Sequence, residues 1–254
     1  WIKHLKFRPT EGGRSVSYLT YMTLAKRGFT ETIEEPLLAN MVGQLPWYNR
    51  DYTGKIFLEH KELLEEHVWL LFRYDTPIAW NDDNAITAFK EGRTKINGSL
   101  QGLLLSCAAD GRMDRARLLK SSLEALVMGR SKGSWFIGII EELHPTSAEL
   151  LPHQDLILQG LTTKLSGSLK LLLRLLRQLA DEPTFNYNDF IAAISGLLYD
   201  MAQTNMSIVC ATFESIAKQH ANARPDICRA LCLVFMNKAE AAQKRAAKLI
   251  AKFG

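Results

Sequence analysis

The sequence predicts an all-α protein in which pairs of helices stack on one another. Apolar residues recur at spacings of three and four along most of the chain, which is the pattern of amphipathic helices. No segment shows the period-two alternation of a half-buried strand. The chain has only 8 prolines and 16 glycines in 254 residues, too few for the frequent turns of an all-β sandwich.

The first 97 residues are predicted to form an irregular helical part, either degenerate repeats or an N-terminal cap of the stack. Apolar spacing predicts helices over residues 17–26, 37–45 and 61–74. The segment 77–84, which ends in Asn-Asp-Asp-Asn, is predicted to be a loop and a cap before a helix that continues through Phe89.

Residues 98–254 are predicted to form one continuous domain of helical repeats. The apolar triplet Leu172, Leu176 and Leu179 is followed 37 residues later by Val209, Phe213 and Ile216. The same pattern recurs in three further triplets: Leu100, Leu104 and Cys107; Phe136, Ile140 and Leu143; Ala246, Ile250 and Phe253. A second series matches at the same offset: Phe190, Ile194 and Leu198 with Ile227, Leu231 and Phe235.

A period of 36–37 residues with two helices per unit indicates an α-solenoid. The signatures of ankyrin and tetratricopeptide repeats are absent, which leaves HEAT-like helical hairpins wound into a right-handed superhelix. The alternative is a chance match between leucine-rich helices of an ordinary all-α protein.

Charge is concentrated at the two ends of the chain. The formal net charge is +4, with net charges of +3 in residues 1–14 and +4 in residues 238–254, so the body between them is slightly acidic. A dedicated nucleic-acid-binding protein usually carries a basic stripe along one face, and this distribution argues against one. No apolar run reaches the roughly 18 residues of a membrane span, so no membrane partner is predicted and the location is expected to be cytoplasmic.

The four cysteines are Cys107, Cys210, Cys228 and Cys232. Disulfide frameworks belong to short secreted chains, which this one does not resemble. Cys228 and Cys232 lie one helical turn apart without a nearby histidine or a second pair, which is a poor metal site. We predict that both are buried as small apolar side chains in a reducing compartment.

No established catalytic signature is present, neither H-E-x-x-H, G-x-S-x-G nor a phosphate-binding glycine loop. His60 and His67, with glutamates around them, form a metal site in one interpretation and a solvated helix face in the other. We favour the solvated face and predict no catalytic residue, cofactor or metal.

Three motifs lie in residues 111–150. They are G-x-x-D-R-x-x-L-L at Gly111–Leu119, W-F at Trp135–Phe136, and L-x-P-T-x-x-E-L at Leu143–Leu150. Together they resemble a family of uncharacterised bacterial helical-repeat proteins, over roughly residues 55–254. The resemblance implies a HEAT-type scaffold without an established activity. It also implies protein partners of the ATPase, von Willebrand or SWIM zinc-finger type, because some members lie near such genes.

The motifs supply a candidate interaction surface made of Asp114, Arg115, Arg117, Trp135, His144 and Glu149. The same residues also have structural interpretations. Asp114 is expected to cap a helix, an adjacent arginine to bridge to an acid, and Thr146 or Ser147 with Glu149 to cap the next helix. Trp135 is large enough to wedge two repeats together.

The sequence therefore predicts a non-catalytic protein-interaction scaffold. The alternative is a HEAT-like nucleic-acid-binding protein with the architecture of the alkylpurine DNA glycosylases, which the size, five tryptophans and basic ends favour. Against it, the predicted inner helices 190–200 and 227–237 contain only one basic residue, Arg229. Because the chain begins at Trp1 and not at Met, we also expect it to be a piece of a longer protein.

Overall fold

The described part of this computed structural model is all-helical, with sixteen α-helices and no strand. It comprises residues 17–30, 33–48, 50–95, 98–130, 133–162 and 167–254, without the side chains of residues 46–54 and 81. The chain forms two compact units. The first holds the described residues up to Ala125 and Arg130–Leu143; the second holds Leu126–Gly129 and His144–Gly254. The division predicted at residue 97 stays a prediction.

The first unit contains nine helices, the last two residues of α8 counting with the second unit. They are α1 (Tyr18–Lys26), α2 (Glu35–Tyr48), α3 (Arg50–Glu59), α4 (Lys61–Glu65), α5 (Leu70–Arg73), α6 (Ile78–Lys90), α7 (Leu100–Ala109), α8 (Arg115–Val127) and α9 (Ser134–Leu143). α2 packs against α5 and α6, α6 against α7, and α7 against α9.

Local signals explain where several of these helices begin and end. Ser17 and Ser99 accept hydrogen bonds from the third amide of α1 and α7, which is the preferred N-cap arrangement. Gly28 follows α1 with a φ of 70°, as expected for a glycine that terminates a helix. The helix predicted over residues 61–74 is interrupted, because a 3₁₀ turn at His67–Trp69 separates α4 from α5.

The prediction of a loop over residues 77–84 is wrong. α6 begins at Ile78, directly after Pro77, and runs without interruption to Lys90. Proline restricts φ to a helical value and suits the start of a helix. Asp82, which was assigned to the loop, is a buried residue inside α6.

The second unit contains seven helices: α10 (Ser147–Leu150), α11 (Gln154–Thr162), α12 (Leu169–Leu179), α13 (Tyr187–Ser195), α14 (Gln203–Gln219), α15 (Arg224–Cys232) and α16 (Glu240–Phe253). α12 packs against α14 and α14 against α16, while α11 packs against α13 and α13 against α15. α11 also packs against α12, and α15 against α16.

Most of the repeated apolar positions form the cores of the two units. Ile250 and Phe253 are half-buried. The buried members are Leu100, Leu104, Cys107, Phe136, Ile140 and Leu143 in the first unit, and Leu172, Leu176, Leu179, Val209, Phe213, Ile216 and Ala246 in the second.

The second series of apolar positions is buried as far as Leu231, but the expectation for Phe235 is wrong. Phe235 is 48% exposed. α15 ends at Cys232 and continues as a 3₁₀ turn at Leu233–Met236. A 3₁₀ turn advances by about 120° per residue and an α-helix by about 100°. Val234 therefore takes the buried position, and Phe235 turns outward.

The predicted burial of Cys228 and Cys232 is also wrong, since Cys228 is half-buried and Cys232 exposed. Their helix presents them on a side that no described helix covers. Of the described residues, no group of three His, Cys, Asp or Glu side chains is arranged to hold a metal ion. His67 Nδ1 is hydrogen-bonded to the Tyr18 hydroxyl at 2.8 Å. No helix in the described ranges combines the length and apolarity required to cross a membrane.

Candidate interaction surface

Three predicted site residues lie on α8 or at its start and make structural contacts within the first unit. Asp114 Oδ1 accepts hydrogen bonds from the amides of Ala116 and Arg117 at 2.9 and 3.1 Å, which confirms its expected role as a helix cap. Arg115 Nη2 donates to the carbonyl of Leu143 at 2.6 Å, at the C-terminal end of α9. The guanidinium of Arg117 lies 4.1 Å from the centroid of the Trp69 ring, a cation–π arrangement.

Trp135 lies in the interior of the first unit and presents no ring surface to a partner. Its Nε1 donates to Asp82 Oδ2 at 3.0 Å, and its carbonyl accepts from Gln101 Nε2 at 2.8 Å. The ring also packs edge-on against Phe136 at a centroid distance of 5.4 Å. Trp135 therefore joins α9 to α6 through its side chain and to α7 through its backbone carbonyl.

His144 and Glu149 lie in the second unit. His144 is exposed and has a φ of 45°, so it makes the turn that follows α9. Glu149 Oε2 accepts from the Thr146 amide at 2.8 Å, and the Glu149 amide donates to Thr146 Oγ1 at 3.3 Å. This reciprocal capping box confirms the helix start expected there. A role of these residues in binding a partner stays a prediction.

A groove lies between α13 and α15 in the second unit and has a volume of about 400 Å³. This α13–α15 groove is lined by Asn188, Ile191, Ala192, Ser195, Asp226, Arg229, Ala230 and Leu233. A second depression, of about 510 Å³, is formed by the segments that follow the two helices, residues 199–203 and 236–239.

Large apolar side chains are exposed in the groove and in the second depression. Tyr199 is 57% exposed, Leu233 38% and Met236 74%. Ala192 and Ala230 are small, so the floor between the two helices stays open. Contiguous exposed apolar side chains in a polar rim mark interaction sites on globular proteins.

A buried asparagine holds the exposed turn in place. Asn237 Nδ2 donates to the carbonyls of Leu198 and Met201 at 3.1 and 3.0 Å, and its Oδ1 accepts from the Ala239 amide at 2.9 Å. The turn that carries Leu233 and Met236 is therefore fastened to the segment after α13. A preorganised apolar surface loses little entropy when it binds.

Charges along the groove balance. Asp226 and Arg229 form an ion pair with each other in the groove, and the second depression is lined by Asp200 and Lys238. The groove therefore offers little attraction to a polyanion, because binding to phosphates depends on an excess of Lys and Arg.

The sequence-based prediction does not include this surface. Leu233 and Met236 belong to the predicted helix 227–237, whereas α15 ends at Cys232 and continues as a 3₁₀ turn. The available signal was their position opposite the buried Ile227 and Leu231 on the helical wheel.

Cys107, Cys210 and Cys228 are poor candidates for a catalytic nucleophile. Burial raises the pKa of the Cys210 and Cys228 thiols, so less of each is present as thiolate at neutral pH. The Cys107 thiol, also buried, has its pKa raised by the same cause.

The model of a family described as "Domain of unknown function (DUF6493)" matches residues 1–205. No curated protein and no solved structure matches the chain.

Proposed function

Because the chain belongs to the DUF6493 family, a domain family of unknown function, we propose its role from its fold and surfaces. The protein is a non-catalytic interaction scaffold built from HEAT-like helical hairpins, and the α13–α15 groove binds an apolar segment of a protein partner. The four free cysteines support a reducing, cytoplasmic location.

The packing of the second unit supports the repeat arrangement. Its even-numbered helices α12, α14 and α16 pack in succession, and so do α11, α13 and α15. In a helical solenoid each hairpin contacts its neighbours in the same two-row order. The period of 37 residues relates α12 to α14 and α13 to α15.

Long-range hydrogen bonds in this unit also join residues about one period apart. Gln178 Nε2 donates to the Pro145 carbonyl at 2.9 Å, and Gln219 Nε2 donates to Asp181 Oδ1 at 3.0 Å. These pairs are 33 and 38 residues apart. Polar contacts between corresponding ends of successive hairpins are expected if each hairpin repeats the last.

The observation that carries the proposal is the exposure of Leu233 in the α13–α15 groove and of Tyr199 and Met236 in the second depression, which the following segments form. An amphipathic helix places anchors of this kind at positions i, i+3 or i+4, and grooves between helices receive such segments. Methionine adapts its shape to different apolar surfaces, and tyrosine contributes a large contact area. The partner segment is therefore a helix with an apolar stripe.

The second candidate function, nucleic-acid binding in the manner of the alkylpurine DNA glycosylases, has less support. Arg229 is the one basic residue on α13 and α15 that lines the groove, and Asp226 neutralises it. Excision of an alkylated base from a DNA duplex by the purified chain would favour this function. Retention of DNA that disappears as salt is raised reflects only phosphate contacts.

Affinity purification from the native host tests the scaffold function. Leu233→Ser/Met236→Ser removes the groove anchors, and Leu58→Ser, which changes an exposed leucine in the first unit, is the matched control. We expect a protein that is captured by the wild type and by the control and is depleted by the groove variant.

The captured protein is then purified and titrated against the three forms by calorimetry. Loss of two apolar anchors is expected to weaken binding by at least about tenfold, because a central interface side chain contributes more than about 1.4 kcal/mol. Equal affinity for the groove variant and the wild type contradicts the proposal.

A further inference from the structure

The helices of the second unit divide by charge into two rows. In α12, α14 and α16, which pack in succession, eight side chains are basic and two acidic. In α11, α13 and α15, two are basic and three acidic. This difference is not apparent along the sequence, because the helices of one row become neighbours only when the chain has folded.

The side of α12 that faces solvent is basic. All leucines of this helix are buried except the half-buried Leu169. Lys170 and Arg174 are exposed, and Arg177 is half-buried. Spacings of four and three residues place these three side chains on one stripe of the helix.

Contacts between side chains place the corresponding stripes of α14 and α16 beside this one. Lys252 Nζ on α16 donates to Glu214 Oε1 on α14 at 2.8 Å. Gln219 Nε2 on α14 donates at 3.0 Å to Oδ1 of Asp181, which follows α12. Both pairs are 38 residues apart, so corresponding turns of the three helices lie side by side.

The side chains on the middle helix of this row are shorter than those on its two neighbours. On α14, the positions 37 residues after Lys170 and Arg174 are occupied by the small residues Ser207 and Ala211. On α16, the positions a further 37 residues along are again lysines. Long basic side chains on both sides of small ones form a trough over α14. We call it the basic trough, and its rims are Lys170 and Arg174 on α12, and Lys244 and Lys248 on α16.

The trough lies on a side of the row that the next helix does not cover. Lys170 and Arg174 are exposed although α14 packs against α12. Ser207 is exposed although α16 packs against α14. Exposure of this side is therefore a property of each helix in the row.

Two lysines, one on each rim, are able to attract acids of another molecule. In the described part of the chain, no ion pair involves Lys170 or Lys248, and both side chains are exposed. Lys244 is already paired with Glu240 of its own helix at 2.6 Å. The selection of a partner by charge consequently rests on Lys170 and Lys248.

The acid on the α14 side of the trough is neutralised within the unit. Glu214 lies between Lys252 and Lys218, at 2.8 and 3.1 Å. Hydrogen bonds from these two lysines, Lys252 first, lower the pKa of its carboxyl to about 2. The Glu214 carboxylate is therefore occupied and does not oppose an incoming acid.

The width of the trough matches an α-helix. Packed helices lie about 8–10 Å apart, so α12 and α16, with α14 between them, are at most about 16–20 Å apart. A helix with its side chains is about 10–12 Å wide. Such a helix fits over Ser207 and Ala211 with one rim on each side. Acids spaced three and four residues apart on it match the spacing of the rims.

We propose that the basic trough binds an α-helix of a partner protein that carries Asp and Glu in a stripe. Carboxylates of this helix pair with Lys170 on one rim and Lys248 on the other, while the small side chains of α14 leave room for its backbone. The proposal concerns a different surface from the α13–α15 groove and does not depend on it.

A nucleic acid suits the trough less well. Binding to a nucleic acid relies on many contacts between phosphates and unpaired Lys or Arg side chains. Here Lys244 is engaged by Glu240, and Lys218 and Lys252 are engaged by Glu214. A helix with a few carboxylates at fixed spacing matches the two unpaired lysines better than a continuous row of phosphates.

Three fluorescein-labelled probes test the trough on the full chain. The first is an alanine-rich peptide of about 20 residues, long enough to be helical, with glutamates spaced alternately three and four residues apart. The second has the same composition with its glutamates distributed around the helix, and the third is a DNA duplex. Fluorescence anisotropy is measured at about 0.15 M salt, where charges more than about 8 Å apart are largely screened. The striped peptide should bind at least about fivefold more tightly than the second peptide, because it forms more ion pairs at once.

A variant with one reversed charge on each rim should lose this binding. Lys170→Glu/Lys248→Glu, the trough variant, should weaken binding of the striped peptide at least about tenfold, because it places like charges against each other. The matched control Lys90→Glu/Lys238→Glu changes the net charge equally, at exposed lysines on α6 and in the second depression. Its dissociation constant should stay within about twofold of the wild-type value.

Crosslinking locates the peptide without any substitution. A carbodiimide joins a carboxylate to a lysine amine that it contacts, and mass spectrometry identifies the lysine. In the wild-type chain, the striped peptide should be linked to Lys170 and Lys248. This measurement decides the proposal even if circular dichroism shows that the trough variant is unfolded.

Four results overturn the proposal. They are equal affinity of the wild type and the folded trough variant, equal binding of the two peptides, crosslinks only at lysines outside the rims, and tighter binding of the duplex than of the striped peptide. The last result, if the trough variant abolishes it, identifies phosphates as the occupant. The groove variant Leu233→Ser/Met236→Ser should bind the striped peptide with wild-type affinity, so failure of the trough and failure of the groove are distinguishable.

Discussion

Trp135 donates its Nε1 hydrogen to Asp82 Oδ2 at 3.0 Å, which joins α9 to α6 inside the first unit. The same carboxylate accepts from the amides of Leu100 and Gln101 at 2.7 and 2.9 Å. Asp82 thus caps the N-terminus of α7 from another helix. Free amides at a helix start attract an anion, which compensates part of the cost of burying this charge.

Asp82→Ala should be among the most destabilising substitutions in the first unit. It leaves three buried donors without an acceptor, and breaking a buried charged network costs about 3–5 kcal/mol. Urea denaturation followed by circular dichroism measures the change. Asp83→Ala is the matched control, because Asp83 is exposed in the same helix turn. Equal free energies of unfolding for the two variants would contradict the capping role.

The raised pKa of Asp82 should make the free energy of unfolding depend on pH. Burial raises the pKa of the Asp82 carboxyl above its ordinary value. The hydrogen bonds from Trp135 and from the α7 amides lower this pKa, but they do not outweigh the effect of burial. Between the unfolded and the raised folded pKa, the folded state binds more protons. The free energy of unfolding of the wild type, relative to Asp82→Asn, should therefore fall as pH rises through this interval, by at most about 1.4 kcal/mol per pH unit.

Asp110 provides the control of opposite sign. Its hydrogen bond with Arg112 holds the pKa of this exposed carboxyl below the ordinary value. The stability of the wild type relative to Asp110→Asn should consequently rise with pH over the acidic range. The difference in unfolding free energy from the wild type should therefore change with pH in opposite directions for Asp82→Asn and Asp110→Asn. A change in the same direction for both variants would contradict the two pKa shifts.

Gly138→Ala should destabilise the first unit although alanine is the better helix former. A Cβ at this position would lie 2.4 Å from Gln101 Nε2, which is engaged with the Trp135 carbonyl. Gln101→Ala removes the obstructing group, so the double variant should be more stable than the sum of the single changes predicts, as a double-mutant cycle measures.

At Gly196, a Cβ meets nothing within 4 Å, and Gly196→Ala should stabilise by about 0.4–1 kcal/mol.

Burial of the repeated triplets could be predicted because helical periodicity is a local property of the chain. Leu176 and Phe213 are both completely buried, as the offset of 37 residues predicts. Leu176→Ala should cost about 2–5 kcal/mol and Phe213→Ala about 3–5 kcal/mol, measured by urea denaturation. Lys170→Ala, an exposed change on α12, should stay within about 0.5 kcal/mol of the wild type. A small effect of either core change would show that the site is loosely packed.

Features set by distant contacts could not be predicted in the same way. The run Asn81–Asn84 has the composition of a turn, yet it is helical because the Asp82 carboxylate finds its donors on α7, 18 and 19 residues later. The exposure of Phe235 likewise depends on where α15 ends, and Asn237 fixes that end through carbonyls 36 and 39 residues earlier. Neither partner lies within the window over which a periodic pattern is judged.

Asn237 links the stability of the second unit to the shape of the α13–α15 groove. Its side chain is buried and makes three hydrogen bonds, two as donor and one as acceptor. Asn237→Ala leaves the carbonyls of Leu198 and Met201 without this donor, and each unsatisfied buried group costs about 1–3 kcal/mol. Asn237→Asp keeps the acceptor for Ala239 but places a charge against two carbonyl oxygens, so it should be at least as destabilising.

Hydrogen exchange separates this effect from a general loss of stability. We expect amides of the 3₁₀ turn at Leu233–Met236 to exchange faster in Asn237→Ala than amides of α12, which the side chain does not contact. Asn222→Ala is the matched control, because Asn222 donates to the Tyr187 hydroxyl on an exposed part of the same unit. In Asn222→Ala, the amides of the 3₁₀ turn at Leu233–Met236 should exchange at the wild-type rate. If exchange in Asn237→Ala increases equally in α12 and in the turn, Asn237 stabilises the whole unit and does not position the groove.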